Sequence, residues 1–429
     1  MAKKRKFGFD TRMLHAGHIP DPVTGSRAVP IYQTTSYVFD DTSYAAQLFE
    51  LKQYGNIYTR LNNPTTAVFE ERIASLENGT GALATASGMA AQFIALMTLL
   101  EPGDEIVASS HLYGGTVSQL THTFKKLSIK VNFVDPTHID NWAAAITPNT
   151  KAFYGEMIGN PSGSILDLEP LSDLAHSHGV PLIVDNTFAT PYLCRPIDFG
   201  ADIVTHSATK FIGGHGSSIA GVIIDAGTFD FSTYPTIAAP EPAQHNLKFY
   251  ETFGHYGYLM KARTVTMRDT GSALSPFNAF LLIQGLETLS LRMERHVQNA
   301  QAVAEFLHDH PLVDWVAYGG LPSSPFHALA KKYTPVGPGA IFTFGIKAPN
   351  PREAGRQFIE SLHIFSHLAN VGDARSLVIH PASTTHQRLT DEELEKAGVN
   401  PGTVRLSIGL ENIEDLLWDL DQALQATSA

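Results

Sequence analysis

A lysine follows two hydroxyl residues at the end of an apolar run, in the string ADIVTHSATK. Ser207 and Thr209 are two positions apart, so extended backbone would point both hydroxyls in the same direction. Lys210 comes next, and the glycine-rich string FIGGHG follows it. A buried lysine is costly, and it loses its charge by desolvation or by condensing with a carbonyl compound. The pattern favours a phosphate site beside a reactive amine, and a surface lysine after a strand is the alternative.

Two other apolar runs also end in polar residues. The string LIVDNTF puts Asp185 at the end of one run, where an acid must be paired or solvated. A helix cap or a loop contact would explain Asp185 equally well. The string ATASGMAAQ places Ser87, Gly88 and Met89 just before an alanine-rich helical stretch. Free backbone N–H groups at a helix start bind anions, although simple capping by Ser87 is the alternative.

Together these three features match the requirements of one cofactor, pyridoxal phosphate. Its aldehyde needs an amine, its ring nitrogen needs a carboxylate to stay protonated, and its phosphate needs N–H and hydroxyl donors. Each feature is weak evidence alone, and their combination carries the prediction.

Short apolar runs alternate with helical patterns between about residues 80 and 225. Several runs are apolar without alternation, as in strands that are buried on both faces of a parallel sheet. The alternation predicts an α/β domain with a mostly parallel central sheet, whose ligands bind beyond the carboxyl ends of the strands. The runs are 81–86, 105–109, 130–134, 151–154, 181–184, 202–205 and 221–224.

The segments before and inside this region have a different character. Proline and glycine punctuate residues 1–60, which predicts an extended arm rather than a compact unit. We expect residues 61–280 to form a large cofactor-binding domain. It contains an insertion at about 229–262 that is rich in proline and aromatic residues. This insertion could be a lid, an oligomer contact or ordinary surface packing.

A second, smaller domain is predicted for the end of the chain. A long helical pattern over 279–307, broken around Gly285, marks the change of domain. We expect residues 281–429 to form an α+β domain that ends in an amphipathic helix over 412–425.

The composition limits the class of protein. The 429 residues include 30 Lys and Arg against 42 Asp and Glu, and the net charge of −12 argues against nucleic acid as a partner. The single cysteine excludes an internal disulfide and a cysteine-based zinc site, and the histidines show no metal-site spacing. No apolar run approaches the ~20 residues of a membrane span. We expect a cytoplasmic protein without a metal or a membrane partner.

The sequence resembles the Cys/Met-metabolism family of fold-type I pyridoxal-phosphate enzymes over essentially the whole chain. Within this family it looks most like the O-acetylhomoserine sulfhydrylase branch, on the strings VPIYQTTSYVF, SPFNAFLLIQGLETLSLRMERH and NVGDARSLVIHPASTTH. The resemblance implies the fold-type I transferase fold. The family motifs are YTRLNNPT, ASGMAA, LYGGT, EMIGNPSG, VDNTFATPY, SATKFIGGHG and VRLSIGLE.

The resemblance also implies a role for each candidate residue that would hold the cofactor. Lys210 would be the Schiff-base lysine and proton shuttle, and Asp185 would pair with the ring nitrogen. Tyr113 would stack on the ring and assist proton transfer, and Asn160 would bind the ring hydroxyl. The residues that would hold the phosphate are Ser87, Gly88, Met89, Ser207 and Thr209, with Tyr58 and Arg60 supplied by a neighbouring subunit.

The same resemblance implies how the substrate would be held. Arg405 would clamp the substrate carboxylate, Asn370 would be a second contact to it, and Tyr58 would also lie near the substrate. A homo-oligomer follows from the shared site, and we expect a tetramer built from dimers.

The implied reaction is γ-replacement on O-acetyl-L-homoserine by sulfide or a small thiol. Cystathionine γ-synthase and methionine γ-lyase reactions on the same scaffold are alternatives, and a non-catalytic pyridoxal-phosphate carrier is a remote one. Relatives specialised as lyases carry a cysteine two residues after the stacking tyrosine, where this chain has Gly115. A Rossmann-type oxidoreductase is disfavoured because no G-x-G-x-x-G follows a strand.

Overall fold

The computed structural model describes residues 5–381, 384, 400 and 402–427. Its large sheet has seven strands. Their order is β1-β7-β6-β5-β4-β2-β3; β7 is antiparallel to both neighbours, and the other pairs are parallel. The strands are β1 (Gly81–Thr85), β2 (Glu105–Ser109), β3 (Lys130–Val134), β4 (Thr150–Glu156), β5 (Leu182–Asp185), β6 (Ile203–His206) and β7 (Gly221–Asp225).

A second, smaller sheet lies in the last third of the chain. Its order is β10-β11-β12-β9-β8, with a parallel β10–β11 pair and antiparallel pairing elsewhere. The strands are β8 (Val313–Ala317), β9 (Ile341–Ile346), β10 (Ser366–His367), β11 (Leu377–Ile379) and β12 (Thr403–Ser407). The mixed α/β fold with a mostly parallel large sheet, predicted from the sequence, is confirmed.

Helices cover the sheets, and none within the described residues combines the length and apolar character needed to cross a membrane. The first nine are α1 (Phe9–His15), α2 (Thr42–Phe49), α3 (Pro64–Glu77), α4 (Gly88–Leu99), α5 (Gly114–Ser118), α6 (Phe124–Lys126), α7 (Ile139–Ala145), α8 (Leu168–Ser177) and α9 (Thr190–Leu193). The others are α10 (Pro235–Ala238), α11 (Phe249–Phe253), α12 (Gly257–Lys261), α13 (Arg268–Thr270), α14 (Pro276–Leu286), α15 (Leu289–Asp309), α16 (His327–Tyr333), α17 (Pro351–Ser361) and α18 (Ile413–Ala426).

The strand and helix predictions agree with the structure except at several boundaries and within the first 60 residues. Each of the seven apolar runs contains a strand, but β4 continues two residues beyond the predicted end of its run. The break in the long helix falls between α14 and α15, just after Gly285, and the final helix is shifted by one residue. The first 60 residues contain two helices, α1 and α2, that the sequence analysis missed. Asp41 caps α2 by accepting from the Tyr44 N–H at 2.7 Å.

Several aromatic residues of the insertion pack into the core on one face of the large sheet, whereas Tyr256 is half exposed. Phe231 and Tyr258 are buried and stack with their ring centroids 5.3 Å apart. The Tyr258 hydroxyl donates to the Ala95 carbonyl oxygen on α4 at 3.0 Å. Phe231 and Tyr258 therefore belong to the core of this chain.

Helix α15 connects the two sheets. The buried guanidinium of Arg292 donates to the Phe211 carbonyl oxygen, in the loop after β6, at 2.7 Å. One turn further along, His296 Nδ1 donates to the Ile408 carbonyl oxygen, just after β12, at 2.7 Å. The same helix therefore holds one loop of the large sheet and one turn of the small sheet.

Candidate active site

A cavity of about 280 Å³ lies at the carboxyl ends of the large-sheet strands and is closed on one side by the small sheet. Such an edge is where open α/β sheets bind their ligands. The cavity brings together most of the candidate residues from distant parts of the sequence. Those that line it are Ser87, Gly88, Met89, Tyr113, Asn160, Asp185, Ser207, Thr209, Lys210, Asn370 and Arg405.

Lys210 projects into this cavity from the loop after β6. Its Nζ donates to Asn370 Oδ1 at 2.6 Å, across the gap between the two sheets. Burial, helped by the nearby positive charge of Arg405, lowers the pKa of Lys210 to about 8. At pH 7 about one amine in ten is therefore uncharged, and only the uncharged amine is nucleophilic.

The start of α4 forms one wall of the cavity. Ser87 caps the helix by accepting from the Ala90 N–H at 3.1 Å. Gly88 packs so tightly against the residue after β6 that a Cβ at position 88 would lie 2.6 Å from the Ser207 Cβ. The Thr209 hydroxyl donates to the Ala220 carbonyl oxygen at 3.1 Å, which fixes this loop beside the helix. Free N–H groups at a helix start attract anions, and a glycine lets an anion come close.

Asp185 ends β5 and faces the cavity. Its Oδ1 accepts from the Thr187 N–H at 2.9 Å. Burial raises the pKa of Asp185, and the hydrogen bonds from Thr187 partly oppose that shift. A cation beside the carboxylate would restore its charged form, because an opposite charge at close range lowers a carboxyl pKa.

Arg405 enters the cavity from β12 of the small sheet. Its side chain is buried, and its Nη1 donates to Asn160 Oδ1 at 3.2 Å. Burial lowers the pKa of Arg405 to about 10, so the guanidinium stays charged at neutral pH. A buried guanidinium is a favourable partner for a carboxylate because it offers two parallel N–H donors.

Tyr113 stands at the mouth of the cavity with 49% of its surface exposed. Its ring rests on the backbone of Gly115, where a Cβ would lie 2.4 Å from the Tyr113 Cε1. A cysteine at position 115 would therefore need the tyrosine ring to move.

Several residues that line the cavity were not predicted from the sequence. Glu156, at the end of β4, is the most important because it places a second carboxyl next to Asp185. Gln92 is buried, accepts from the Thr116 hydroxyl at 3.0 Å and lines the same cavity. Asp185 was predicted by a strand-end rule, which looks for polar residues where an apolar run ends, because ligands bind beyond the carboxyl ends of parallel strands. The same rule would have found Glu156 if the predicted run had not ended at residue 154.

Two candidate residues, Tyr58 and Arg60, lie outside this cavity. The Arg60 guanidinium donates to the Arg268 carbonyl oxygen and lies 5.6 Å from the centre of the Tyr58 ring. Tyr58 is also 41% exposed. A direct role for either residue would therefore have to be in the cavity of another copy.

Comparison with known proteins agrees with this geometry. The model of one family, described as Cys/Met metabolism PLP-dependent enzyme, matches residues 10–425. The chain belongs to this family. An O-acetyl-L-homoserine sulfhydrylase of Leptospira meyeri is 54% identical, covering 98% of this chain and 97% of that protein. A homocysteine synthase of Schizosaccharomyces pombe is 53% identical, covering 97% and 98%.

One solved structure has the same fold as this chain. It is a putative O-acetylhomoserine (thiol)-lyase of Campylobacter jejuni, with a TM-score of 0.94 and 40% identity over 98% of this chain and 100% of that chain. That protein carries an N'-pyridoxyl-lysine-5'-monophosphate, in which the cofactor is joined to a lysine.

The cavity of this chain suits the pyridoxal phosphate of its family. It offers a partly uncharged amine at Lys210, a carboxyl at Asp185 and a glycine-lined helix start at Gly88. These are the three groups that the aldehyde, the ring nitrogen and the phosphate require. The family cofactor therefore fits residues that the sequence analysis had singled out.

The lowered pKa of Lys210 gives a pH prediction for cofactor loading. In cofactor-free protein the amine is protonated below about 8 and uncharged above it, against an ordinary value of 10.5. We expect the rate of pyridoxal phosphate incorporation, followed by its absorbance, to rise with pH and to level off above this value. A rate that keeps climbing towards pH ~10 would contradict the lowered pKa.

Proposed function

We propose that this chain replaces the acetyl group of O-acetyl-L-homoserine with sulfide or a small thiol. The products would be acetate and L-homocysteine, or L-methionine when the thiol is methanethiol. The observation that carries the proposal is the meeting of Lys210, Asp185 and Arg405 in one cavity. Two relatives that match almost the whole chain are named for this chemistry.

Pyridoxal phosphate, when bound, draws electrons away from the substrate carbon that carries the amino group. In the proposed reaction, Lys210 Nζ would accept the proton from Cα and pass it on within the site, so that it is free to accept a proton from Cβ. Acetate would then leave from Cγ with the bonding electrons, and the thiol would lose its proton as its sulfur bonds to Cγ. Lys210 would finally return one proton to Cβ and one to Cα. Its low pKa lets Lys210 alternate between base and acid near neutral pH.

The other cavity residues are proposed to hold the reacting groups in place. Arg405 binds the substrate carboxylate through its guanidinium, and Asn370 assists it from beside Lys210. Asp185 keeps the cofactor nitrogen protonated, Asn160 binds the ring hydroxyl and Tyr113 covers the ring. The proposed phosphate contacts are Ser87, Gly88, Met89, Ser207 and Thr209.

One assay separates this proposal from its nearest alternatives. The purified yellow protein is incubated with O-acetylhomoserine, with and without sulfide, and the products are identified. Homocysteine that forms only with sulfide supports the proposal. Rapid release of 2-oxobutyrate without sulfide would favour a γ-lyase instead. Parallel incubations with cysteine as the thiol donor, and with O-succinylhomoserine, test a cystathionine γ-synthase reaction and the choice of ester.

We further propose that the active unit is at least a dimer, with Tyr58 and Arg60 reaching the phosphate of a neighbouring copy. The support is their position outside the chain's own cavity, together with the family resemblance. Two such dimers would form a tetramer. We also propose a cytoplasmic location, which fits the single cysteine. In this arrangement residues 1–60 act as an arm, 61–280 bind the cofactor and 281–429 contribute the carboxylate clamp.

Mixing two inactive variants tests the shared site. Arg60→Ala and Lys210→Ala chains are each expected to be nearly inactive alone. In a mixed dimer, the chain with Lys210 receives an intact Arg60 from its partner, so one of the two sites is complete. Random pairing should restore about one quarter of wild-type activity. No recovery in dimers shown by mass measurement to be mixed would place Arg60 outside the neighbouring site.

A further inference from the structure

Glu156 places a second carboxyl beside Asp185. Glu156 on β4 and Asp185 on β5 are register partners in the parallel sheet, so the two residues lie side by side at the ends of neighbouring strands. Both line the cavity. The Glu156 Oε1 accepts from the backbone N–H of Tyr113 at 2.6 Å, and this contact joins β4 to the loop before α5.

The surroundings of Glu156 favour its protonated form. Burial raises the pKa of Glu156 well above its usual value, and the neighbouring Asp185 carboxylate raises it further. The N–H bonds from Tyr113 and Asn160 oppose this shift but do not cancel it. When two carboxyls share one site, the charge settles on the one with the better cationic partner. In the proposed reaction that partner would be the protonated cofactor nitrogen, which Asp185 would hold.

Tyr113 depends on this contact for its position. Its side chain is half exposed, and its ring lies over Gly115, which offers no side chain to hold it. The Tyr113 carbonyl oxygen accepts from the Val117 N–H at 3.0 Å within the start of α5, whereas the bond from the Tyr113 N–H to Glu156 ties this residue to β4 of the large sheet.

We propose that Glu156 is a positioning residue that anchors Tyr113 with an uncharged carboxyl and leaves Asp185 as the charged member of the pair. This inference rests on the proposed function in one respect, the roles given there to Tyr113 and Asp185. It adds a residue that the sequence analysis had not considered. Glu156 acts through these two neighbours and takes no proton from the substrate.

Two substitutions separate an uncharged anchor from a charged one. Glu156→Gln keeps an oxygen acceptor and a similar shape without any charge. Glu156→Ala removes the acceptor for the Tyr113 N–H. Glu101→Ala, at an exposed position outside the cavity, is the matched control. Cofactor affinity, the circular dichroism of the cofactor band and melting temperature are measured without substrate, and kcat and KM are measured with it.

We expect Glu156→Gln to stay within about threefold of the wild type in cofactor affinity and kcat, because the hydrogen bond survives. Glu156→Ala should weaken cofactor binding and lower kcat by about tenfold each, with a changed dichroism band. Its KM should change much less, because Arg405 is untouched.

Three outcomes would overturn the proposal. If Glu156→Gln is as impaired as Glu156→Ala, the carboxyl works as an anion. If Glu156→Ala behaves like the control, the anchor has no effect. If Glu156→Ala lowers the melting temperature without altering the dichroism of bound cofactor, the role is only structural. Because the affinity and dichroism readouts need no substrate, they test Glu156 even if the wild type makes no homocysteine.

Discussion

Lys210→Ala is expected to lose the yellow absorbance band of the bound cofactor and nearly all turnover. The cavity offers the Lys210 amine beside Asn370 and Arg405, and alanine leaves nothing at that point to bond the cofactor or to move protons. A positioned acid–base group is typically worth about 10²–10⁴-fold in rate, and we expect a loss near the upper end. Absorbance spectra and a sulfide-dependent homocysteine assay measure both effects.

Two variants control this experiment. Lys210→Arg keeps a positive charge in the cavity, but its guanidinium stays protonated and cannot act as the base, so it should be inactive as well. Lys347→Ala removes an exposed lysine and should behave like the wild type. A yellow, active Lys210→Ala protein would show that another amine carries the cofactor.

Arg405→Ala is expected to raise KM for O-acetylhomoserine strongly, with little change in cofactor content. The guanidinium is buried and charged, so a substrate carboxylate placed there would lose its charge-assisted hydrogen bonds. Removing one partner of such a pair costs about 2–5 kcal/mol, which corresponds to roughly 30-fold or more in apparent affinity. Steady-state kinetics and the cofactor absorbance per chain separate the two quantities.

The controls for Arg405 test geometry and charge separately. Arg405→Lys keeps the charge but loses the two-pronged donor, so its KM should lie between those of the wild type and the alanine variant. Arg356→Ala changes an exposed, salt-bridged arginine on α17 and should leave KM unchanged. An unchanged KM in Arg405→Ala would mean that the carboxylate is held by other residues.

The strand-end rule explains why much of the site could be read from the sequence. Asp185 and Lys210 stand at or just after the ends of apolar runs, and parallel strands bring such ends to one edge. Glu156 obeys the same rule but follows Gly155, and the predicted run stopped before that glycine. The two N-terminal helices were missed because they are only seven and eight residues long, and α1 also lies between Gly8 and Gly17.

Contacts between distant segments could not be read from local patterns. Lys210 and Asn370 are 160 positions apart, and Arg405 and Asn160 are 245 apart. Periodicity shows that a segment is a helix or a strand, but not which loop of the other sheet it will meet. The family resemblance, rather than spacing, supplied Arg405 and Asn370 as candidates.

Helix α15 affects which part of a substrate this cavity can recognise. Arg292 and His296 lie one turn apart and hold, respectively, the loop that carries Lys210 and the turn after the strand of Arg405. A rigid helix thus sets the span between the amine and the guanidinium. In the proposed reaction Lys210 takes the proton from Cα and Arg405 binds the carboxylate on that same carbon, and every α-amino acid has both groups. The pair would therefore recognise the α-amino acid end alone, and selection between ester groups would fall to residues around the far end of the side chain.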